Sequence, residues 1–457
     1  MPRALRALPF AVLLSGTIML CVGRRALALA FLPLAFAGCQ DLEREARREF
    51  SPVNRLAAEA QPAMTVPQPA QAPPRPRDGA PAIIRGIYVN AYVMGNPVRA
   101  RAMLALADTT EINAFVVDVK DEDGVRYHSA IPMAMEATHP RSIPIHDLKA
   151  VVDTMNAHGV YPIARIVVFK DPRLSRARPA WSIHAPDGRP WRDRQGLTWV
   201  SPWNRDVWEM NIAIAEEAVR AGFREIQFDY VRFPEAFSNL PRQVHPSADS
   251  GGTRADAIGG FLAAARARIH PLGATVTADV FGLSMNESRD VGIGQQWEKI
   301  ASEVDGVLPM VYPSHYYPTH LPGIRRPNRM PYETIRQAVG MGVVRNERLT
   351  AAGVEPARIV PWLQAFTATW NDRGYPYRAE QARAQIQALY DLGVQDWIFW
   401  HPSSNYAQIA GAFARETAPE GKRADIPASL RAHVDRMDRE GAAAVRAAVA
   451  AKRTPSR

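Results

Sequence analysis

Gly222-Phe223-Arg224-Glu225-Ile226-Gln227-Phe228-Asp229-Tyr230-Val231-Arg232-Phe233-Pro234 reads as a β-strand fed by a helix. Polar Glu225, Gln227 and Asp229 alternate with apolar Ile226 and Phe228, the period of two that puts one set on each face of a sheet. Upstream, residues 205–221 carry helical spacing, and Gly222 offers the left-handed cap that ends a helix at least steric cost. The same alternation extends in both directions. Strand-like runs fall at 83–93, 114–120, 161–170, 225–233, 274–281, 306–312, 358–366 and 396–401. Helical patterns fall at 98–107, 146–157, 205–221, 254–269, 295–304, 332–343, 379–392 and 406–415. Eight strand-then-helix units over residues 81–417 predict an α/β fold, a single (β/α)8 TIM barrel. A doubly wound open sheet is the alternative, and the lack of a phosphate-binding glycine fingerprint after the first run argues against it.

The 457 residues are 47% apolar and 22% charged, which is enough apolar material for a large core and excludes wholesale disorder. The net charge of +9 comes mainly from arginine, since only six of the 55 cations are lysine. No Lys/Arg run is interleaved with aromatics, so nucleic acid is not an expected partner. Cys21 and Cys39 both lie near the N-terminus, which excludes disulfides, cysteine-ligated zinc and a cysteine nucleophile in the barrel. In residues 1–38, Arg24 and Arg25 precede an apolar run over 26–37 that ends in Phe36-Ala37-Gly38-Cys39. This resembles a bacterial lipoprotein signal, which implies cleavage before Cys39, its lipidation, and a membrane partner through that anchor. Gln40 after it is compatible with the outer membrane, so the expected location is the cell envelope. A single membrane-spanning helix is the competing reading, and the two arginines interrupt it. Residues 39–80, with Pro62, Pro67, Pro69, Pro73, Pro74 and Pro76, read as an extended tether. Residues 418–457, rich in Ala and Arg, read as a short surface helix or a disordered tail.

In a TIM barrel, alternate strand residues point inward and active sites form at the C-terminal ends of the strands. The phase that sends large apolar residues toward the helices directs inward Tyr88, Asn90, Asp118, Lys120, Arg165, Gln227, Asp229, Thr277, Asp279, Tyr312, Gln364 and His401. Asp229 and Asp279 lie on neighbouring strands, which are ~4.8 Å apart. Such a pair suits a glycosidic bond, where one acid protonates the leaving oxygen while the other attacks or activates water. Competing readings are a structural Asp229 paired with Arg165 or Arg232, and an Asp279 that only fills a barrel layer. Asp118, followed by Asp121, Glu122 and Asp123, is a rival acid or a solvated turn. Trp181, Trp191, Trp199 and Trp203 in the loop after strand three, with Tyr312, Tyr316, Tyr317, Trp362, Trp397 and Trp400 at later strand ends, offer flat faces suited to sugar rings. No His-Glu-x-x-His, Gly-x-Ser-x-Gly or phosphate-loop pattern is present, and no metal or cofactor is expected.

The phrase 222–234, together with Arg85-Gly86-Ile87-Tyr88 and Trp199-Val200-Ser201-Pro202-Trp203-Asn204, resembles the uncharacterised glycoside hydrolase-like TIM-barrel family of bacterial secreted and lipid-anchored proteins. The resemblance spans about residues 82 to 405 and implies a barrel related to polysaccharide-cleaving enzymes, with Asp229 as the strand-four catalytic candidate. The expectation is therefore a glycoside hydrolase acting on a cell-envelope or extracellular polysaccharide. Asp229 is its nucleophile or base and Asp279 its general acid. Asn90, Asp118, Lys120, Arg165, Trp203, Arg232, Tyr312, Gln364, Trp400 and His401 are the expected substrate contacts. A glycan-binding barrel without turnover is the competing class.

Overall fold

A computed structural model describes residues 81–246, 252–414 and 426–453. Ten strands form its sheet: β1 (Arg85–Val89), β2 (Ala114–Asp121), β3 (Gly124–Val125), β4 (Tyr161–Val167), β5 (Glu225–Asp229), β6 (Thr275–Phe281), β7 (Gly306–Met310), β8 (Arg358–Ile359), β9 (Trp362–Gln364) and β10 (Trp397–Trp400). Strand β3 folds back antiparallel on the end of β2, and every other pairing is parallel. Strands β8 and β9 share one stave, broken where Pro361 has no N–H to give the ladder. Because β1 pairs with both β2 and β10, the eight staves close into a barrel with no free edge. The expected (β/α)8 fold is thus the observed one.

Between the staves run helices α1 (Pro97–Thr109), α2 (Leu148–Ala157), α3 (Arg205–Arg220), α4 (Arg254–Ile269), α5 (Trp297–Glu303), α6 (Pro331–Ala351) and α7 (Ala379–Tyr390). Their starts follow from local chemistry. Asp147 accepts from Ala150 N at 2.9 Å to cap α2, and Thr253 with Asp256 forms a capping box on α4. Gly222 ends the turn after α3 with φ +109°, and a Cβ there would meet Val152 at 2.9 Å, so two constraints select glycine. Two boundaries differ from the sequence expectation. The helix expected at 406–415 is only a 3-10 turn, Ala410–Phe413. The expected tail holds α8 (Ala428–Arg453), which packs Leu430 and Val434 into the core and pairs Arg348 of α6 with Asp435 and Asp438. Its apolar stripe is short and diluted by alanine, which hides the packing face from a periodicity reading. The expected signal segment, Cys39 and the expected tether lie outside the described residues.

The strand alternation holds. Ile226 and Phe228 of β5 are wholly buried in the outer core between staves and helices, each worth roughly 1.5–3 kcal/mol of burial. Tyr88, Val116, Ile163, Leu308, Val360 and Ile398 form a separate apolar cluster inside the barrel. Below the site, at the N-terminal end of β5, Glu225 is buried in the interior and accepts from the Thr277 hydroxyl at 3.0 Å. Burial lifts its carboxyl from 4.5 to about 7. A folded-state pKa above the unfolded one means the folded chain holds the proton more tightly. Stability is therefore expected to fall as pH rises from 4.5 through about 7, by on the order of 3 kcal/mol for this group. Chemical denaturation at pH 5 and pH 8 checks this, and Glu225→Gln should remove that share of the decline.

Candidate active site

Polar side chains gather where β2, β4, β5 and β6 reach the C-terminal mouth. Register places Asp118 beside Arg165, Arg165 beside Gln227 and Gln227 beside Thr277 across four consecutive staves. Asp229 and Asp279 stand one inward step higher on β5 and β6. Arg165, buried at the centre, donates through Nε (2.9 Å) and Nη2 (2.6 Å) to Asp229 Oδ2, and through Nη1 (2.7 Å) to Asp118 Oδ1. Burial works against its charge, but the carboxylates of Asp229, Asp118 and Asp121 outweigh it and hold the guanidinium well above its ordinary pKa. Asp118 also accepts from the Tyr88 hydroxyl at 2.6 Å. Its own carboxyl is pushed up, by burial first, against the pull of Arg165.

Three N–H groups converge on Asp229, the third being the amide of Tyr230, 2.6 Å from Oδ1. Such a donor set suits an ionised carboxylate. Tyr230 holds φ +47°, a left-handed backbone that costs an aromatic residue on the order of 1–3 kcal/mol and is concentrated at functional sites. The Arg165 pair is one of the two partners that a purely structural Asp229 would take. Asp229 is nonetheless not wholly enclosed, since 9% of its side-chain surface remains exposed.

Asp279 differs in kind. Gln227 Nε2 and Trp362 Nε1 both donate to its Oδ1 at 2.6 Å, and no donor among the described residues reaches Oδ2. Burial, then the charge of Asp229, push its carboxyl well above the usual carboxylate range, which favours its protonated form. With Oδ1 engaged twice as acceptor, Oδ2 is the oxygen left to carry that proton. Neighbouring acids in such different settings, one clamped by three N–H groups and the other with its carboxyl pKa pushed up, are the arrangement from which acid and base roles are drawn. Because the indole donor favours the charged form of Asp279, Trp362→Phe should raise its pKa further and cost about 1–2 kcal/mol of stability. The carboxylic-acid infrared band followed against pH, with denaturation alongside, reads both.

The opposite wall of the mouth is aromatic. Trp400 stacks on Tyr88 with centroids 4.0 Å apart, and the Arg165 guanidinium lies 5.3 Å from the Trp400 ring. Tyr312 is buried close enough to Asp279 and Asp229 that, after burial, their charges raise its hydroxyl pKa. Asp118, Arg165, Asp229, Asp279, Tyr312 and Trp400 are therefore brought together.

Other expected contacts are placed elsewhere. Lys120 is wholly buried, paired with Asp171 at 2.8 Å and donating to Val167 O at 2.6 Å. A bulge between Asp118 and Lys120 pairs Lys120 with Ile166, an outer-core residue, and so reverses the phase that would have turned it inward. Asn90 caps the short helix Ala91–Met94 through Val93 N at 3.0 Å. Gln364, fully buried, accepts from Ser314 N and donates to Phe366 O, latching two loops. His401 Nδ1 accepts from the amides of Ser403 and Asn405 in a turn. Arg232 is buried among the rings of Phe281, Trp199 and Tyr230 and donates to Phe233 O and Glu235. Trp203 packs edge-on to Phe233 and His245. Trp191 and Trp199, each 1% exposed, form the core of their own loop, with indoles bonded to Pro241 O and Asp193. They are not an open sugar platform. Trp362, one of the strand-end aromatics expected to offer a face to sugar, is buried and instead gives its indole N–H to Asp279, a role its inward phase, shared with Gln364 two residues on, could have suggested.

Among the described residues, no group of His, Cys, Asp and Glu could hold a metal ion, and no helix is long and apolar enough to cross a membrane.

Residues 86–406 match a protein family described as "Putative glycosyl hydrolase domain". Among solved structures, the chain is similar to a hypothetical protein from Ruminiclostridium thermocellum ATCC 27405, at 37% identity over 43% of this chain and 97% of that one, with a TM-score of 0.38. It is similar in fold to the glycoside hydrolase domain of PgaB (BpsB) from Bordetella bronchiseptica, at 15% identity over 73% of this chain and 99% of that one, with a TM-score of 0.51. The glycoside hydrolase domain of PelA from Pseudomonas aeruginosa aligns at 12% identity over 72% and 99%, with a TM-score of 0.41. A search of curated proteins gave no match.

Proposed function

Since the chain belongs to this glycosyl hydrolase domain family, we propose that it is a glycosidase cleaving a cell-envelope or extracellular polysaccharide with Asp229 and Asp279 as its two catalytic carboxyl groups. The observation that carries the reading is the buried Asp279, bonded through Oδ1 alone and with its carboxyl pKa pushed up, beside an Asp229 bound by three N–H groups. Asp279, through Oδ2, delivers the proton to the leaving glycosidic oxygen. Asp229 acts from the neighbouring stave as nucleophile or as base toward water. Arg165 fixes the orientation of Asp229, and Trp400 with Tyr88 lines the facing wall for the sugar ring. The lipoprotein-like segment ending at Cys39 supports a lipid-anchored protein of the envelope, which puts the substrate outside the cytoplasm.

The Arg165 clamp on Asp229 favours a second reading, a barrel that binds glycan without cleaving it. Incubating the full-length protein with envelope and exopolysaccharide preparations and assaying new reducing ends separates the two. Release that disappears in Asp229→Asn supports hydrolysis. Binding without release from any preparation supports the lectin.

A further inference from the structure

One large aromatic side chain lies outside the carboxyl cluster, presented to solvent at the same mouth. Trp370, in the loop after β9, is 52% exposed and stacks on Phe366 at 6.0 Å with 26° between the rings. Phe366 meets Tyr312 edge-on at 5.7 Å, and Tyr312 stands beside Asp279 and Asp229. His315, exposed in the loop after β7, turns its edge to Tyr312 at 5.3 Å, to Phe366 at 6.2 Å and to Trp370 at 6.3 Å. A ladder of rings therefore leads from the catalytic carboxyl groups out to the rim.

The rim loop is held rather than loose. Asn371 Nδ2 donates to Ser314 O at 3.0 Å, tying it to the β7 loop. Arg329 pairs with Asp372 at 3.4 Å and donates to its carbonyl. Asp372 and Arg373 take consecutive left-handed conformations, φ +47° and +54°, which non-glycine residues rarely adopt. The fold thus spends backbone strain on a segment whose outermost side chain contributes half its surface to water instead of to the core. A flat apolar face rimmed by polar groups suits the C–H face of a sugar ring with its hydroxyls at the edge.

From this geometry we propose that Trp370 is an outer subsite that stacks one pyranose unit of a polysaccharide chain, with Phe366 backing it and His315 at its edge. The substrate then spans several sugar units, from the carboxyl pair to the rim, so chain length sets affinity. The proposal rests on the reading of the mouth as a polysaccharide site but not on turnover.

The test is affinity electrophoresis of the full-length protein through gels containing glycol chitin, glycol chitosan, hydroxyethyl cellulose or alginate, alongside reducing-end assays on envelope and exopolysaccharide preparations. At least one of these polymers should retard the wild type. Trp370→Ala should weaken that retardation about tenfold, the effect of losing roughly 1.4 kcal/mol, and Trp370→Phe should keep part of it. Because Trp370 is at an exposed loop tip, both variants should melt as the wild type does. Retardation of Trp370→Ala equal to that of the wild type overturns the subsite, as does a wild type that none of the four polymers slows. Retardation that depends on Trp370 without any release of reducing ends keeps the subsite and removes the hydrolase. Release abolished by Asp229→Asn but indifferent to Trp370→Ala, in both retardation and rate, does the reverse.

Discussion

Asp279→Asn is expected to lower polysaccharide cleavage by about 10²–10⁴-fold, the usual share of a general acid, while the fold stays intact. The substitution is nearly isosteric. An amide oxygen in place of Oδ1 still accepts from Gln227 and Trp362, and the new NH2 occupies the place of the protonated Oδ2. Only the transferable proton is lost. In the wild type, cleavage should fall as pH rises through the elevated pKa of Asp279, because the acid form is the active one. The variant should lack that alkaline limb. Reducing-end release across a pH series, with a melting curve for each protein, checks both parts. An Asp279→Asn protein that cleaves at the wild-type rate ends its assignment as the acid. Asp229→Asn should be less well tolerated, because its NH2 must face either Arg165 or the Tyr230 amide, so its loss of release is read beside its melting curve.

The second large effect concerns Arg165. Arg165→Met is expected to destabilise the protein by about 3–5 kcal/mol, since Asp118 and Asp229 would remain buried without their cation. Arg165→Lys should rescue little. A single ammonium cannot reproduce three directed contacts to carboxylates on two different staves. The loss has a pH signature: the stranded carboxylates take up protons as pH falls, so the deficit should shrink in acid. Urea denaturation at pH 5 and pH 8 reads the difference. A uniform deficit at both values would show that the destabilisation comes from lost packing instead of from charge.

The barrel was legible because its grammar is local. Alternation in β5 and in β6 assigned Asp229 and Asp279 to the interior, and Gly222 marked the end of α3 before any pairing was known. Where a local irregularity shifts the phase, the reading fails. The bulge after Asp118 turned Lys120 away from the mouth, and no residue type in 118–120 announces a bulge. Asn90 and His401 lie just beyond strand ends, where backbone amides compete for their side chains and win. The tryptophans of 181–203 misled for another reason: a long loop over a barrel needs a core of its own, and large indoles fill it. Trp370 carries no periodic signal at all. Only the tertiary meeting of the β7 and β9 loops shows where its ring stands.

The first described residues enter at the end of the barrel away from the carboxyl groups. Ile84 N donates to Asp396 just ahead of β10, and Arg358 at the start of β8 holds the carbonyls of Pro81 and Ala82. Pro81 therefore joins the barrel on the face opposite the opening. A bulky group attached at Pro81 itself would stand on the far face from the carboxyl pair and leave the approach to them clear.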